Sequence, residues 1–237
     1  MPIFHPHPQV RVLPISPTQQ ALVIDDALVD PAEWIAFAQA RRPEFVQAPH
    51  NAYPGIELGM PNEFCWQLDE FFTVHVRNRL GGRRNVGMNS RMAMVTLPPS
   101  QLQPRQWMCH RDSAGLPPHL LIVASVLYLF GDERLGGTSI YRPRRSADET
   151  ALLVHESGTL DGDAFARKYG ARQGYLLDSN DWFERVLTIE PRFNRMVFYD
   201  GNLFHTSHLP EPALLTDDPR TGRLTINGFF TSTRRQG

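Results

Sequence analysis

Two imidazoles and one carboxylate in this chain have the residue types and the spacing of metal ligands. His110 and Asp112 flank Arg111, and a third candidate, His205, lies far downstream. Residues i and i+2 of an extended strand point to the same side, so His110 and Asp112 could hold one ion while Arg111 faces away. Two histidines and one carboxylate occupy one face of an octahedral iron and leave the other positions open for substrate and O2. The sequence therefore predicts a metal centre at these three side chains.

Other interpretations of the same residues stay open. A histidine and an aspartate often share a hydrogen bond at a strand end, and a His-x-Asp motif arises easily by chance in a chain with nine histidines. Two histidines and one aspartate with an open position also suit catalytic zinc. His208 and His119 are rival ligands, although His208 follows the point where the chain should leave the metal, and His119 sits in a Pro-rich loop.

Composition predicts one soluble globular domain spanning residues 1–237. Hydrophobic residues make up 41% of the chain and charged residues 21%, and no apolar run reaches transmembrane length. The first ten residues lack the basic start and the long apolar core of a secretory signal, so we expect a cytoplasmic protein. A net charge of -1 favours no nucleic-acid partner, and two cysteines do not support a disulfide framework.

The N-terminal third carries the signals of one strand and two helices. The apolar run at 21–24 is a predicted strand, and Asp30 followed by Pro31 has the order of a helix cap and a first helical residue. A second helix is predicted at 62–80, because apolar residues recur there at helical spacing. His75 lies on the apolar side of that helix and is interpreted as structural.

From residue 91 onward, short apolar runs alternate with Pro, Gly and Asp. Strands are predicted at 92–97, 124–130, 139–142, 186–189, 195–199 and 224–230. Many short strands after two helices predict a mainly β fold with N-terminal helices (α+β) and a jelly roll, or double-stranded β-helix, as its core. We place N-terminal support at 1–88 and the jelly-roll core at 89–237, with an irregular insert at 144–181 that could form a lid.

Four motifs follow one another in the strand-rich part of the chain. They are Ser-Val-Leu-Tyr-Leu at 125–129, Gly-Gly-Thr at 136–138, Arg-Met-Val-Phe-Tyr at 195–199 before His205, and Arg-Leu-Thr at 223–225. In this order they resemble the strands, the Gly-Gly turn and the Arg-x-Ser/Thr pair of prolyl-hydroxylase-like iron(II)- and 2-oxoglutarate-dependent dioxygenases. The resemblance covers roughly residues 91–230, with His205 at the place of the distal metal histidine.

The resemblance implies a ligand set and a cosubstrate pocket. Iron(II) would be held by His110, Asp112 and His205. The residues that bind the cosubstrate, 2-oxoglutarate, would be Arg223, Thr225 and Tyr128, since a guanidinium fork suits the distal carboxylate. Members of the superfamily use O2 to convert 2-oxoglutarate to succinate and CO2 while they hydroxylate a C–H bond. We therefore expect an oxidoreductase that acts on a peptide, an amino acid or a small metabolite.

Two departures from the family pattern affect the cosubstrate pocket. The gap from His205 to Arg223 is 223 - 205 = 18 residues, which is longer than in many relatives, and Leu97 stands where some relatives have Tyr. Without the resemblance, Arg223 would be interpreted as an exposed residue at the start of a strand. The pocket is thus expected to differ in detail from that of the family.

Substrate contacts are expected from loops next to the metal motif. Trp107 and Arg105 precede His110 and could line the mouth of the site, and Asn202 approaches from the segment before His205. The same jelly-roll fold would also suit two other classes of protein. One is a catalytically idle binding protein whose His and Asp residues contribute to packing, and the other is a zinc-dependent hydrolase.

Overall fold

The chain is folded mainly into antiparallel β-strands. The computed structural model describes residues 1–47, 52–112 and 115–235. The strands are β1 (Val10–Ser16), β2 (Gln19–Ile24), β3 (Gly55–Gly59), β4 (Gly82–Val95), β5 (Leu120–Tyr128), β6 (Thr138–Pro143), β7 (Phe183–Ile189), β8 (Arg195–Asp200), β9 (Phe204–Ser207) and β10 (Leu224–Arg234). The α-helices are α1 (Pro31–Ala40), α2 (Asn62–His75), α3 (Ala147–Glu156) and α4 (Gly162–Tyr169). Within the described ranges, no helix is both long and apolar enough to span a bilayer. The prediction of a mainly β fold is confirmed.

The strands form two antiparallel sheets. The large sheet has the order β1-β2-β8-β5-β10-β4-β3, and the small sheet has the order β7-β6-β9. At the centre of the large sheet, Asn227 of β10 lies opposite Arg91 of β4 on one side and opposite Val126 of β5 on the other. Opposed residues of antiparallel strands share a face of the sheet. This register therefore decides which side chains of the three strands meet.

One face of the large sheet packs against α1 and α2. Ile226 of β10 points to this face and is fully buried. Helix α2 presents Phe64, Leu68 and Phe72 at intervals of about one helical turn, and Phe72 stacks on Phe230 with 4.0 Å between ring centroids. The N-terminal helices thus close one side of the sheet and leave its other face for the functional site.

The opposite face of the large sheet packs against the small sheet. Tyr128, Val197 and Tyr199 of the large sheet are buried in one cluster with Ile140 and Ile189 of the small sheet. Residues of β10 alternate between the two faces, so that polar side chains of this strand point to the same side as this cluster. The space between the two sheets is therefore lined by the apolar side chains of this cluster and by polar side chains of β10.

The insert forms a separate layer on the small sheet. Leu153 of α3, Phe165 of α4 and Phe183 of β7 are buried together with Trp107 and Met108. The insert therefore rests on the stretch of chain that leads into His110.

The predicted helices begin where expected. Asp30 caps α1 through two hydrogen bonds, which its Oδ1 accepts from backbone N–H groups at 3.1 and 3.2 Å. The second helix, predicted to residue 80, ends at His75 because a 3-10 turn (Arg77–Leu80) follows it and closes on Gly81 at a φ of 82°. His75 is partly buried against Phe71, with 5.0 Å between ring centroids, in line with a structural role.

Three strands and half of a fourth were not predicted. Strands β3 and β9 have only five and four residues, and all side chains of β1 are half-buried or exposed. The part of β4 before residue 92 is mostly polar and exposed, so the sequence predicted only the end of this strand. The boundary placed between residues 88 and 89 falls inside β4, so the N-terminal part and the strand-rich part share this strand.

Asn194 ties the turn before β8 to the N-terminal segment. It adopts a φ of 60°, its Oδ1 accepts a hydrogen bond from Leu28 N at 2.9 Å, and its Nδ2 donates to Leu28 O at 3.0 Å. We expect Asn194→Ala to lower the free energy of unfolding by about 2–4 kcal/mol, because two buried hydrogen bonds are lost and alanine is strained at positive φ. Urea unfolding measures this change. Asn194→Gly, which removes the side chain without the strain, should cost less, and equal stability of wild type and Asn194→Ala would contradict the assignment.

Candidate metal centre

The three side chains predicted as metal ligands meet in the structure. One ligand atom from each of His110, Asp112 and His205 lies within 4.8 Å of the other two. Asp112 Oδ1 is 3.6 Å from His110 Nε2, and Asp112 Oδ2 is 3.4 Å from His205 Nε2. The two imidazole rings lie 4.4 Å apart, centroid to centroid. Two imidazole nitrogens and one carboxylate are thus close enough to share one divalent ion.

Backbone hydrogen bonds bring the ligands together from distant parts of the chain. His110 N donates to His205 O and His205 N donates to His110 O, both at 2.9 Å, which forms an isolated antiparallel bridge. Asp112 N donates to Gly201 O at 2.8 Å. Arg111 lies instead over the ring of Phe204, with its guanidinium carbon 4.6 Å from the ring centroid. Backbone hydrogen bonds therefore hold the three ligand residues next to one another.

His205 is held in the form that ligates a metal. Its Nδ1 lies 2.9 Å from Leu203 O, and because a carbonyl can only accept, Nδ1 carries the proton and Nε2 keeps its lone pair. Burial, partly offset by the Asp112 carboxylate, lowers the pKa of His205 to about 4. The imidazole is consequently neutral at neutral pH, with Nε2 on the side of Asp112.

Asp112 is the buried anion of the site. Its side chain is 10% exposed, and Oδ2 has no hydrogen-bond donor among the residues that the structure describes. Burial raises the pKa of Asp112, but the neighbouring His205, a hydrogen bond from His110 and the positive charge of Arg91 lower it overall, so that the group is a carboxylate at neutral pH. A buried carboxylate oxygen without a donor is unfavourable, and a cation between the three ligands would satisfy it. The residues present therefore fit a divalent metal ion.

Gly201 allows Asp112 to approach the site closely. A Cβ on Gly201 would lie 3.0 Å from Ile122 Cγ2 and 3.1 Å from Asp112 Oδ2. We expect Gly201→Ala to weaken Mn(II) binding by about 10–100-fold, because the carboxylate must move by a few tenths of an ångström. Calorimetric titration of Mn(II) measures the effect. Gly87→Ala is the matched control, since a Cβ on that residue would meet nothing within 4 Å. Equal affinity of the two variants would show that this contact does not position Asp112.

A cavity of about 190 Å³ opens beside the three ligands. Both sheets, the segment before β3 and the insert contribute to its wall. Its polar lining residues include Tyr53, Arg105, Thr138, Tyr175, Arg223 and Asn227. Among the described residues that line it, Asp112 is the only carboxylate.

Arg223 is a buried cation in the wall of this cavity. The residue is 2% exposed, its Nε donates to Gly136 O at 3.2 Å, and its Nη2 donates to Gly137 O at 2.8 Å. These partners are neutral backbone carbonyls, so they orient the guanidinium without balancing its charge. A buried charge of this kind requires an anionic partner, and a carboxylate in the cavity would provide one.

Thr225 and Tyr128 lie next to Arg223, but both hydroxyls bond within the protein. The two residues are opposed in the register of β10 and β5. Tyr128 Oη is 2.7 Å from Thr138 Oγ1, and Thr225 Oγ1 donates to Ala93 O at 3.3 Å. Thr138 reaches the cavity and Tyr128 lies behind it.

Two tyrosines that the sequence does not single out lie near Arg223. Tyr53 and Tyr175 both line the cavity. Burial raises the pKa of Tyr53 to about 12, with the positive charge of Arg223 acting in the opposite direction. Tyr175, from the insert, donates to Leu97 O at 2.6 Å, at the position where the chain departs from the family pattern. Neither tyrosine belongs to a strand or a motif, so the sequence offers no local signal for them.

Only one of the three predicted substrate residues lines the cavity, and it is Arg105. Trp107 is 8% exposed, donates from Nε1 to Leu102 O at 2.9 Å and packs edge-on against Phe165 of the insert. Asn202 is exposed in the turn after β8, where its backbone N–H bonds to Asp200. Trp107 and Asn202 are close to the ligands along the chain, but neither is among the residues that line the cavity.

The rival histidines do not join the ligand cluster. His208 Nδ1 is 3.1 Å from Ser139 Oγ, and burial lowers its pKa. His119 lies in a surface groove beside Arg84 and Arg234. The described residues thus bring together the ligand set chosen from the sequence and leave these two alternatives apart from it.

Comparison with solved structures finds low-identity likenesses. The carbocyclase SnoK, described as non-heme and alpha ketoglutarate dependent, from nogalamycin biosynthesis, is 14% identical; the match covers 90% of this chain and 80% of that one, with a TM-score of 0.48. The epimerase SnoN from the same biosynthesis is 12% identical over 92% of this chain and 81% of its own, with a TM-score of 0.47. EvdO2 from Micromonospora carbonacea var. aurantiaca is 11% identical over 97% and 96%, with a TM-score of 0.41. At these values the likeness does not bear on the chemistry of this chain.

A family match covers nearly the whole sequence. A search of curated proteins finds no match to the chain. The family match extends over residues 6–230, which include all three metal-ligand candidates and Arg223. The chain belongs to the family described as "Family of unknown function (DUF6445)".

Proposed function

We propose that this protein is an iron(II)- and 2-oxoglutarate-dependent dioxygenase with a jelly-roll, or double-stranded β-helix, core. The observation that supports it most is a pair of unbalanced buried charges in one cavity. Asp112 Oδ2 lacks a donor among the described residues and lies 3.4 Å from His205 Nε2, and Arg223 bonds to neutral carbonyls. A divalent cation and an organic dianion would balance the two together.

Each residue of the site has a distinct task in this proposal. His110, Asp112 and His205 would hold iron(II), which, when bound with 2-oxoglutarate, supplies the oxidising power for attack on a substrate C–H bond. Leu203 O keeps the proton of His205 on Nδ1, so that Nε2 remains a ligand at neutral pH. Gly201 O accepts a hydrogen bond from the backbone N–H of Asp112 and so holds this ligand beside the segment that leads to His205.

The cosubstrate pocket would be formed around Arg223. Its guanidinium is immobilised by Gly136 O and Gly137 O, and it would bind the distal carboxylate of 2-oxoglutarate. Tyr53 and Thr138 line the same cavity and can donate hydrogen bonds to carboxylate oxygens. Thr225 and Tyr128 support this pocket from behind, through Ala93 O and Thr138.

The insert at 144–181 would form one side of the cosubstrate pocket. Tyr175 is the residue of the insert that lines the cavity, and its hydroxyl donates a hydrogen bond to Leu97 O. Apolar residues such as Met108 and Val126 line the cavity nearby and exclude water from the reacting groups. We take residues 1–237 as one domain, since β4 joins the N-terminal part to the remaining strands.

One kind of zinc hydrolase has a requirement that the described cavity wall does not meet. Zinc peptidases pair the metal with a further glutamate that acts as general base. Asp112 is the only carboxylate among the described lining residues, and it would itself be a ligand. Oxidation of a small molecule or peptide by O2 and 2-oxoglutarate accounts better for the buried Arg223, because the cosubstrate supplies a carboxylate for its guanidinium.

A thermal-shift matrix of metals and cosubstrate tests the proposal. Metal-free protein is heated alone, with Fe(II) under anaerobic conditions, with Mn(II), and with Zn(II), each in the presence and absence of 2-oxoglutarate. We expect Fe(II) or Mn(II) to raise the Tm and 2-oxoglutarate to raise it further only when the metal is present. Metal binding without a 2-oxoglutarate effect would favour the idle binding protein. A strong preference for Zn(II) with no 2-oxoglutarate effect would favour the hydrolase.

A further inference from the structure

A second polar patch lines the cavity on the far side of β10 from β5. Arg91 of β4 lies directly opposite Asn227 of β10, and both side chains line the cavity. Phe229, two residues further along β10, shares their face of the sheet. The proposed roles of the ligands and of Arg223 do not use these three residues.

Arg91 is held in a fixed orientation. Its Nε lies 2.6 Å from Glu57 Oε1, and its guanidinium carbon lies 4.6 Å from the centre of the Phe229 ring. The side chain is 31% exposed, whereas that of Glu57 is 8% exposed. The ion pair engages the Nε edge, and no hydrogen bond joins the terminal nitrogens to another described residue, although Arg91 lines the cavity. A stacked and paired guanidinium loses little further freedom on binding a carboxylate.

Asn227 offers a buried acceptor beside Arg91. The residue is 9% exposed, and within the described parts of the chain its Oδ1 has no hydrogen-bond donor. A buried amide oxygen without a donor is unfavourable, and a donor on a bound molecule would satisfy it. Ser90 does not supply that donor, because its hydroxyl bonds to the backbone carbonyl of Asn227.

This patch is separate from the pocket around Arg223 but close to the metal ligands. Arg223 and Asn227 are four residues apart on an extended segment, or about 13 Å along the strand. Arg91 and Asn227 line the same cavity as the three metal-ligand candidates. A molecule seated on the patch would therefore lie beside the metal centre without displacing a ligand of Arg223.

We propose that Arg91 and Asn227 form the subsite that orients the substrate, and that the substrate is a small organic acid with a hydroxyl or N–H group next to its carboxylate. Arg91 binds the carboxylate through its terminal nitrogens, and Asn227 Oδ1 accepts a hydrogen bond from the neighbouring donor. The aromatic ring of Phe229 supports Arg91 from below. The assignment of this molecule as the substrate rests on the proposed dioxygenase function.

Small matched probes test the subsite directly. Acetate, acetamide and glycolate are titrated by ligand-detected NMR into protein saturated with Mn(II) and 2-oxoglutarate. We expect acetate and glycolate to bind, acetamide to bind far more weakly, and glycolate to bind more tightly than acetate. Arg91→Gln should weaken both acids by about tenfold or more. Asn227→Leu should leave acetate unchanged and remove only the advantage of glycolate.

Further variants separate this proposal from folding effects and from the proposed function. Arg91→Lys and the double variant Arg91→Gln with Glu57→Gln avoid an unpaired Glu57, and we expect intermediate and abolished binding, respectively. The titration is then repeated with metal-free protein in the presence of a chelator, with and without Arg223→Gln. This measures binding of the acids at Arg91 and Asn227 even if 2-oxoglutarate does not bind. Binding that is lost with Arg223→Gln but not with Arg91→Gln overturns the proposal. Equal binding of acetamide and acetate, or no binding of either acid, overturns it as well.

Discussion

Arg223→Ala is expected to abolish the additional thermal stabilisation by 2-oxoglutarate while it leaves stabilisation by metal intact. The guanidinium is buried, is held by two backbone carbonyls and contacts no metal ligand in the site. Loss of two charge-assisted hydrogen bonds to a carboxylate corresponds to roughly a 100-fold or greater loss of affinity. Calorimetric titration of 2-oxoglutarate into Mn(II)-loaded protein measures this loss.

Two controls accompany this prediction. Arg220, three residues earlier, is exposed and pairs with Asp218 at 2.8 Å, so Arg220→Ala should leave 2-oxoglutarate affinity unchanged. Arg223→Lys keeps the charge but loses the planar fork, and an intermediate affinity is expected. Equal 2-oxoglutarate affinity in wild type and Arg223→Ala would reject the role of Arg223 while leaving the metal site untouched.

Asp112→Asn is expected to remove the metal-dependent rise in Tm altogether. The substitution keeps the size of the side chain, so the metal-free protein should melt within a few degrees of wild type. It removes the anionic ligand that lies 3.6 Å from His110 Nε2 and 3.4 Å from His205 Nε2. A change of ligand should weaken metal binding by more than about 100-fold, since even loss of an outer contact to a ligand costs about 10–100-fold.

The rival histidines provide the controls for this second prediction. His208→Ala and His119→Ala should retain the metal-dependent shift, because neither side chain belongs to the cluster formed by Asp112 and the two ligand histidines. Mn(II) titration followed by electron paramagnetic resonance reads binding independently of melting. If His208→Ala lost the metal and Asp112→Asn retained it, the ligand set would be wrong.

The mainly β fold could be predicted from the periodicity of apolar residues, whereas the lengths of several strands could not. Strand β10 alternates apolar residues such as Ile226 on the helix side with mostly polar residues on the other, and β8 is a continuous apolar run buried on both faces. The first half of β4 is mostly polar and its Val86 is exposed, so no buried apolar pattern marks it as a strand. β9 is four residues long, and pairing with β6 rather than composition makes it a strand.

Site residues that are close together in the sequence were predictable, and those that are far apart were harder to predict. His110 and Asp112 lie two positions apart, so the assumption of an extended segment was enough to predict that they point to the same side. His205 required the resemblance, because backbone pairing with His110 over a long separation leaves no local signal. Arg91 and Asn227 meet only through the register of β4 and β10, and single-sequence patterns do not specify which residues of two strands are opposed.

The reciprocal backbone bonds between His110 and His205 have a consequence for the lifetime of the folded chain. The two residues are 205 - 110 = 95 positions apart, and holding them together in the unfolded chain would cost about 4 kcal/mol in loop-closure entropy. In the folded protein the backbone bonds already hold the two residues together. In the proposed enzyme, an ion bound by both histidines would have to be released before β9 could separate from the segment around His110. A bound iron ion would therefore slow unfolding in addition to serving the proposed reaction.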